Sequence, residues 1–191
     1  MKKIIVQEFI TLDGFIEDSN DNQMEWVTDS FNGEIAKEQL KDANNIDTIL
    51  LGRTTYDILS AYWPTSAAKE RDPEMFKHLN SSAKIVFSTS LNNPQWNNSK
   101  VMRAINYDEI QNIKEGDGKN IAVSGSASVV HALLNLGLID EFHLTVFPLA
   151  VGNGKRLFDN FKDRQNFNLI KTKTFANGVI ILFYECNNMA R

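Results

Sequence analysis

The chain has 191 residues, 42% apolar and 23% charged, with a formal net charge of −4 and one cysteine, Cys186. This length suits a single domain over residues 1–191 with a sizeable core. The acidic balance argues against a nucleic-acid-binding face, the lone cysteine excludes an internal disulfide or a cysteine-rich zinc site, and no apolar run approaches the ~18 residues of a membrane span.

In chain order, Lys3 to Ile10 reads as a strand. Gln7 and Glu8 interrupt its apolar run, so no secretory leader is expected and the compartment reading is cytoplasmic. Thr11 to Asp29 reads as a long polar loop around Met24-Glu25-Trp26, the kind of segment that is usually functional or mobile. Phe31, Ile35, Ala36, Leu40 and Ala43 share one helical face. A strand over Thr48–Leu51 is followed by a helix over Thr54–Ala61. A further helix runs over Asp72–Leu79, with Pro73 at its first position. Lys84–Phe87 is a strand, Asn92–Asn98 is turn-rich, Lys100–Ala104 is a short strand and Asp108–Lys114 a helix. Asn120–Val123 is a buried strand, and Val129 to Leu136 an amphipathic helix closed by Gly137. Phe142, Leu144 and Val146 alternate as a strand. Gly152-Asn153-Gly154-Lys155 reads as a mobile loop or dimer contact. Asn177-Gly178 is a hairpin turn between strands over Phe167–Phe175 and Val179–Glu185. The sum is an α/β fold: a mixed, mostly parallel sheet flanked by helices, ending in an antiparallel hairpin.

Three strand-to-helix junctions carry the chemistry. In the first, Gly52-Arg53-Thr54-Thr55 follows an apolar strand. A helix start offers unpaired N–H groups and partial positive charge, Arg53 can fork onto a phosphate, and the two hydroxyls can donate. The same residues also make an ordinary junction with a surface arginine. The second is Ser124-Gly125-Ser126-Ala127-Ser128, whose small side chains let a ligand near the backbone or let helix and strand pack closely. It lacks the lysine of a Walker loop and is not a full dinucleotide fingerprint. The third is Ser88-Thr89-Ser90. Parallel strands present their C-terminal ends together, so three such turns favour an extended ligand with several phosphates. His78, His131 and His143 are scattered without metal-ligand spacing, and no metal is expected.

These residues resemble the dihydrofolate reductase-like family, in particular the reductase half of the bifunctional riboflavin-biosynthesis deaminase/reductase. The resemblance rests on Thr11-Leu12-Asp13-Gly14-Phe15-Ile16, Leu51-Gly52-Arg53-Thr54-Thr55-Tyr56, Tyr62-Trp63-Pro64, Val86-Phe87-Ser88-Thr89, Val123-Ser124-Gly125-Ser126 and Gly137-Leu138-Ile139-Asp140-Glu141, with Pro148, Gly152, Asn153, Gly154, Leu157 and Phe158. It implies an NADPH-using reductase, monomeric or homodimeric. Gly52, Arg53, Thr54 and Thr55 would then meet the phosphates, with Arg53 near the 2′-phosphate, and Ser88 and Thr89 would flank the adenosine ribose. Gly125, Ser126, Ala127 and Ser128 would hold the pyrophosphate; the family usually has two glycines where this chain has Gly125-Ser126.

On the substrate side the resemblance implies a mobile loop at Met24-Glu25-Trp26 and a threonine, Thr145, near the acceptor. A folate reductase carries a carboxylate on the following helix; its place here falls at Phe31, with Asp29 and Glu34 nearby, which argues against dihydrofolate as substrate. Asp13 and Glu34 are candidate proton donors, although an Asp-Gly pair also simply makes a turn. The expectation is hydride transfer to a pterin-like, pyrimidine-like or other small molecule. The alternative is a non-catalytic module that retains the nucleotide cleft.

Overall fold

The computed structural model describes residues 1–19, 25–159 and 164–187. Strands β1 (Ile4–Thr11) and β2 (Phe15–Asp18) are followed by helices α1 (Glu25–Ser30) and α2 (Gly33–Ala43). Next come β3 (Ile46–Gly52), α3 (Arg53–Tyr62), α4 (Ser66–Arg71), α5 (Pro73–Ser81), β4 (Ala83–Phe87) and β5 (Ser99–Met102). The chain continues through α6 (Tyr107–Glu115), β6 (Asn120–Val123), α7 (Ala127–Asn135), β7 (Glu141–Phe147), β8 (Gly154–Arg156), β9 (Phe167–Thr174) and β10 (Ile180–Cys186). Eight strands form one sheet in the order β5-β4-β3-β6-β1-β7-β10-β9. The first six are parallel, and β10 runs antiparallel to both β7 and β9.

Local sequence explains where the helices begin. Asn32 accepts from the amides of Glu34 and Ile35 at the start of α2, and Asn106 does the same for α6. Asp72 caps α5, whose first residue is Pro73, a position that needs no amide donor. The apolar strands then bury both faces of the sheet. One face packs Ile110 of α6 and Val130, Leu133 and Leu134 of α7 on Ile4, Val6, Leu50 and Val123. The other packs Tyr56 and Trp96 on Ile5, Ile49, Leu51 and Val86. Each such large side chain contributes roughly 1.5–3 kcal/mol on burial.

Several stretches differ from the sequence expectation: Ser88-Thr89-Ser90, expected as a strand-to-helix junction, leads without a helix to β5, and α4 is not among the expected helices. Within the expected 11–29 loop, β2 and α1 are regular elements, and residues 20–24, including Met24, lie outside the described residues. Trp26 is buried, edge-on to Phe147 at 5.2 Å, so the described part of the expected mobile loop is anchored to the core. Lys155 and its neighbours, expected as a loop or dimer contact, form β8. That strand pairs with β2, helped by the Arg156 guanidinium stacked 4.3 Å over the Phe15 ring. The hairpin around Asn177-Gly178 forms as β9 and β10.

The sheet has one irregularity that positions the site. β6 is short: Val123 lies beside Val6 of β1 and Leu50 of β3, and there the strand ends. β1 continues to Thr11 and β3 to Gly52. A notch therefore opens between them at the C-terminal edge, floored by Ser124-Gly125-Ser126. The chain also reverses direction across the sheet here, the place where open α/β sheets bind ligands.

Candidate active site

The notch leads into a cavity of about 480 Å³, within the range of small-molecule sites. Its walls come from β1 (Gln7, Glu8, Phe9), the starts of α3 and α7 (Thr54, Thr55, Gly125, Ser126), and the β2–β8 pair (Ile16, Glu17, Lys155). The deep end lies between the sheet and α2, α3 and α5, where Ile46, Ile49, Ile58, Leu59, Met75 and Leu79 make it apolar.

Two helix starts meet at the mouth. Gly52 precedes α3 and Ser126 precedes α7, and neither provides a side-chain cap for the first amides of its helix. They touch backbone to backbone: the Gly52 amide donates to the Gly125 carbonyl at 3.0 Å. This proximity explains the glycines. A Cβ at Gly52 would stand 2.5 Å from Ser126 Oγ, and one at Gly125, where φ is +73°, would stand 2.8 Å from Thr55 Oγ1. The two positively polarised helix ends thus converge on one mouth, an arrangement suited to an extended anion.

The remaining residues of the phosphate expectation lie around this mouth to different degrees. Arg53, at the first position of α3, is half-exposed and paired through Nε with Asp57 at 2.6 Å. Ala127 is buried, and the Ser126 and Ser128 hydroxyls hydrogen-bond each other at 2.7 Å. Ser88 does not line the cavity; its hydroxyl accepts from the amides of Ser90 and Leu91 and shapes the turn after β4. Thr89 beside it is exposed. Arg103 braces the same turn by donating to the carbonyls of Ser88 and Leu91.

The expected proton donors are not gathered into the cavity. Asp13 accepts from the Thr11 hydroxyl at 2.6 Å and from the amides of Gly152 and Val151. The Thr11 hydrogen bond first, then those amides, hold its carboxyl below the usual range against the opposing pull of desolvation. It fastens the β1–β2 turn to the segment after β7. Glu34 is exposed in the first turn of α2. Neither lines the cavity. Thr145 is fully buried on β7, and Gln39 Nε2 donates to its hydroxyl at 2.8 Å. The helix side chain that meets Thr145 is therefore Gln39. Phe31 instead packs edge-on to Phe9 at 5.8 Å and does not line the cavity, which corrects the expected placement.

Three lining groups escaped the sequence reading. Gln39 is one. His78 is held below its ordinary value by burial first, then by the charges of Lys119 and Lys84, all of which disfavour its charged form. Glu8 is the third. Its Oε1 is closed off from solvent and has no hydrogen-bond partner. Burial pushes its carboxyl up to about 8; a backbone hydrogen bond from Gly125 and the charge of Lys155 oppose the rise, and Glu17 adds to it. A carboxylate inside a mostly apolar strand was the available signal, but only the early end of β6 gives it meaning.

Other singled-out groups are structural. His143 bridges Asp42 and Glu141, each at 2.9 Å. Asp140 accepts from the Ile4 amide and from Lys114. The Cys186 thiol is pushed up to about 12, chiefly by burial, and is inert as a nucleophile. Among the described residues no group of three or more His, Cys, Asp or Glu is placed to hold a metal ion, and no helix is long and apolar enough to cross a membrane.

With a mostly parallel sheet, a notch at its switch point and two facing helix starts, the molecule has the fold of the dihydrofolate reductase class. A dihydrofolate reductase from Enterococcus faecalis, complexed with NADP(H) and RAB-propyl, superposes with a TM-score of 0.63 at 11% identity, covering 97% of this chain and 96% of that one. The chain belongs to the RibD C-terminal domain family, whose model matches residues 2–181. A "Putative riboflavin biosynthesis protein" from Shewanella sp. PV-4 superposes with a TM-score of 0.76 at 22% identity, covering 97% of this chain and 99% of that one. The uncharacterized protein YyaP of Bacillus subtilis (strain 168) is 35% identical over 189 residues, 97% of this chain and 96% of that protein. Family and fold are those of reductases.

Proposed function

We propose that the chain is an NADPH-dependent reductase that transfers a hydride to a small, uncharged, planar acceptor. One observation carries this reading: two helix starts without side-chain caps converge, through the Gly52–Gly125 contact, on the mouth of a cavity whose deep end is apolar. The residues fit the cofactor. The amides at Thr55 and Ser126 would hold its pyrophosphate, and Arg53, on leaving Asp57, its 2′-phosphate. When bound, NADPH supplies the hydride. The protein's part is to orient the partners and, with its apolar walls, to exclude water.

The deep end also restricts the acceptor. Among the described residues its lining between α2, α3 and α5 includes no Lys or Arg, and the one Lys or Arg on the cavity wall, Lys155, is already 3.3 Å from Glu17. A phosphorylated or carboxylated acceptor would be stripped of water there with no Lys or Arg lining the site to pair with it, which is costly. Gln39 commits its amide N–H to Thr145, so its carbonyl oxygen can accept from an N–H or O–H on the acceptor's edge. A neutral amide cannot provide the negative charge that a folate reductase's carboxylate offers, so dihydrofolate should be a poor substrate.

The test is turnover. NADPH oxidation should be followed with a panel of neutral heteroaromatic and carbonyl acceptors, their phosphorylated counterparts and dihydrofolate. Reduction confined to neutral acceptors is expected. Rapid dihydrofolate turnover, or preference for phosphorylated acceptors, would overturn the acceptor class; tight NADPH binding without turnover of any acceptor would favour the non-catalytic module.

A further inference from the structure

Gly125 is held from two sides. Its carbonyl accepts from the Gly52 amide on β3, and its own amide faces the Glu8 carboxyl on β1. The two strands that border the notch therefore hold the same residue, one through backbone and one through a side chain. The Glu8 grip is unusual chemically. A carboxyl with one oxygen sealed from solvent and unpartnered is a costly item to keep in a strand. Strand alternation puts Glu8 on the face of Val6 and Ile10, among core side chains, where Val, Ile or Leu would pack more cheaply. The charged groups facing it are Lys155 of β8 and Glu17 of β2, which pair with each other.

We propose that Glu8 is a positioning residue for the anion cradle, setting the Gly125 turn against α3, and that the appearance of charge on it drives a polyanionic ligand out. The proposal rests on the reading of the mouth as a phosphate site. While uncharged, the carboxyl holds the Gly125 amide and leaves the positive field of the two helix starts intact. Once ionised, it places a negative charge directly against the turn meant to receive phosphate. By linkage, a bound polyanion must hold the proton on Glu8 more tightly. The raised carboxyl puts this transition near the upper edge of neutral pH.

The test titrates wild type, Glu8→Gln and Glu8→Ala with NADPH and, separately, inorganic pyrophosphate from pH 6 to 9.5, and follows the unfolding free energy of the ligand-free proteins over the same range. Wild-type Kd should be flat below about pH 8 and then rise by up to about tenfold per pH unit. Glu8→Gln, which keeps the shape and an acceptor for the Gly125 amide, should bind with no such rise. Glu8→Ala should bind weakly throughout. Without ligand, wild type should lose stability relative to Glu8→Gln as pH rises from 5 to 8: the folded protein holds this proton more tightly than the unfolded chain, so the contribution is complete at low pH and lost on the way up. A flat wild-type profile, or an equal rise in Glu8→Gln, overturns the proposal. Pyrophosphate binding with this signature but no NADPH binding keeps the cradle and overturns the cofactor reading; if neither anion binds, both fall.

Discussion

The sheet buries ionisable side chains near both of its edges, and it treats them in opposite ways. At the start of β4, Lys84 is fully buried, yet its ammonium donates to the carbonyls of Leu79 at 2.6 Å and Ser82 at 2.9 Å and lies 4.4 Å over the Trp96 ring. Lys114 likewise donates to the Leu138 carbonyl and to Asp140 at 2.7 Å. These cations tie helix ends and loops to the sheet, and their hydrogen bonds offset part of the cost of burial, which still pulls the Lys84 ammonium down to about 8. In the notch at the opposite edge, Glu8 keeps an oxygen with no partner, and two helices begin without side-chain caps. Lys84 and Lys114 are fully partnered, whereas Glu8 keeps an unpartnered oxygen on the cavity wall; Ser99 Oγ and Trp26 Nε1, also unpartnered, lie away from the cavity.

Mutations on either side should separate cleanly. Lys84→Ala should show the largest loss of stability, about 2–4 kcal/mol, because it leaves a void and two orphaned carbonyls. Denaturant unfolding measures this, and NADPH affinity in the folded variant should equal that of wild type; a change in affinity would break the division between the edges. Gly125→Val should weaken NADPH roughly a hundredfold or more, about 2.7 kcal/mol, because the added side chain meets Thr55 and the positive φ disfavours it. Binding and melting temperature are to be read on one preparation, since some stability is lost as well. Arg53→Ala should remove a preference for NADPH over NADH of about tenfold, or about 1.4 kcal/mol, with stability nearly unchanged because its Asp57 pair is exposed. Equal wild-type affinity for the two cofactors would show that Arg53 does not meet the 2′-phosphate. Smallest, Gln39→Leu should cost about 1 kcal/mol of stability through the lost Thr145 bond. It should raise the acceptor KM several-fold while leaving NADPH Kd alone.

Much of the frame was legible because local chemistry dictates it. Asn177-Gly178 can hardly avoid a hairpin, Asp72-Pro73 begins a helix, and Gly52-Arg53-Thr54-Thr55 reads as a strand-to-helix turn before any coordinates are known. What escaped depends on partners distant in sequence. β2 and β8 are four and three residues long and make sense only as each other's complement. Gln39 looks like any polar helix residue until Thr145, 106 positions away, is set beside it. Asp13 and Glu34 drew attention by type and sequence position, yet their side chains meet a backbone turn and solvent. Glu8 read as a polar break in an apolar run, because nothing in the run itself says that β6 stops short of it.

The cofactor's phosphates are proposed to lie in the notch at β1, β3 and β6. Amide chemical-shift mapping with NADPH tests this most directly. The largest shifts are expected at Gly52, Thr55, Gly125 and Ser126, on the two facing helix starts. Shifts confined instead to the second, polar cavity of about 400 Å³ around Lys77, Ser81, Ser82 and Lys119 would contradict it.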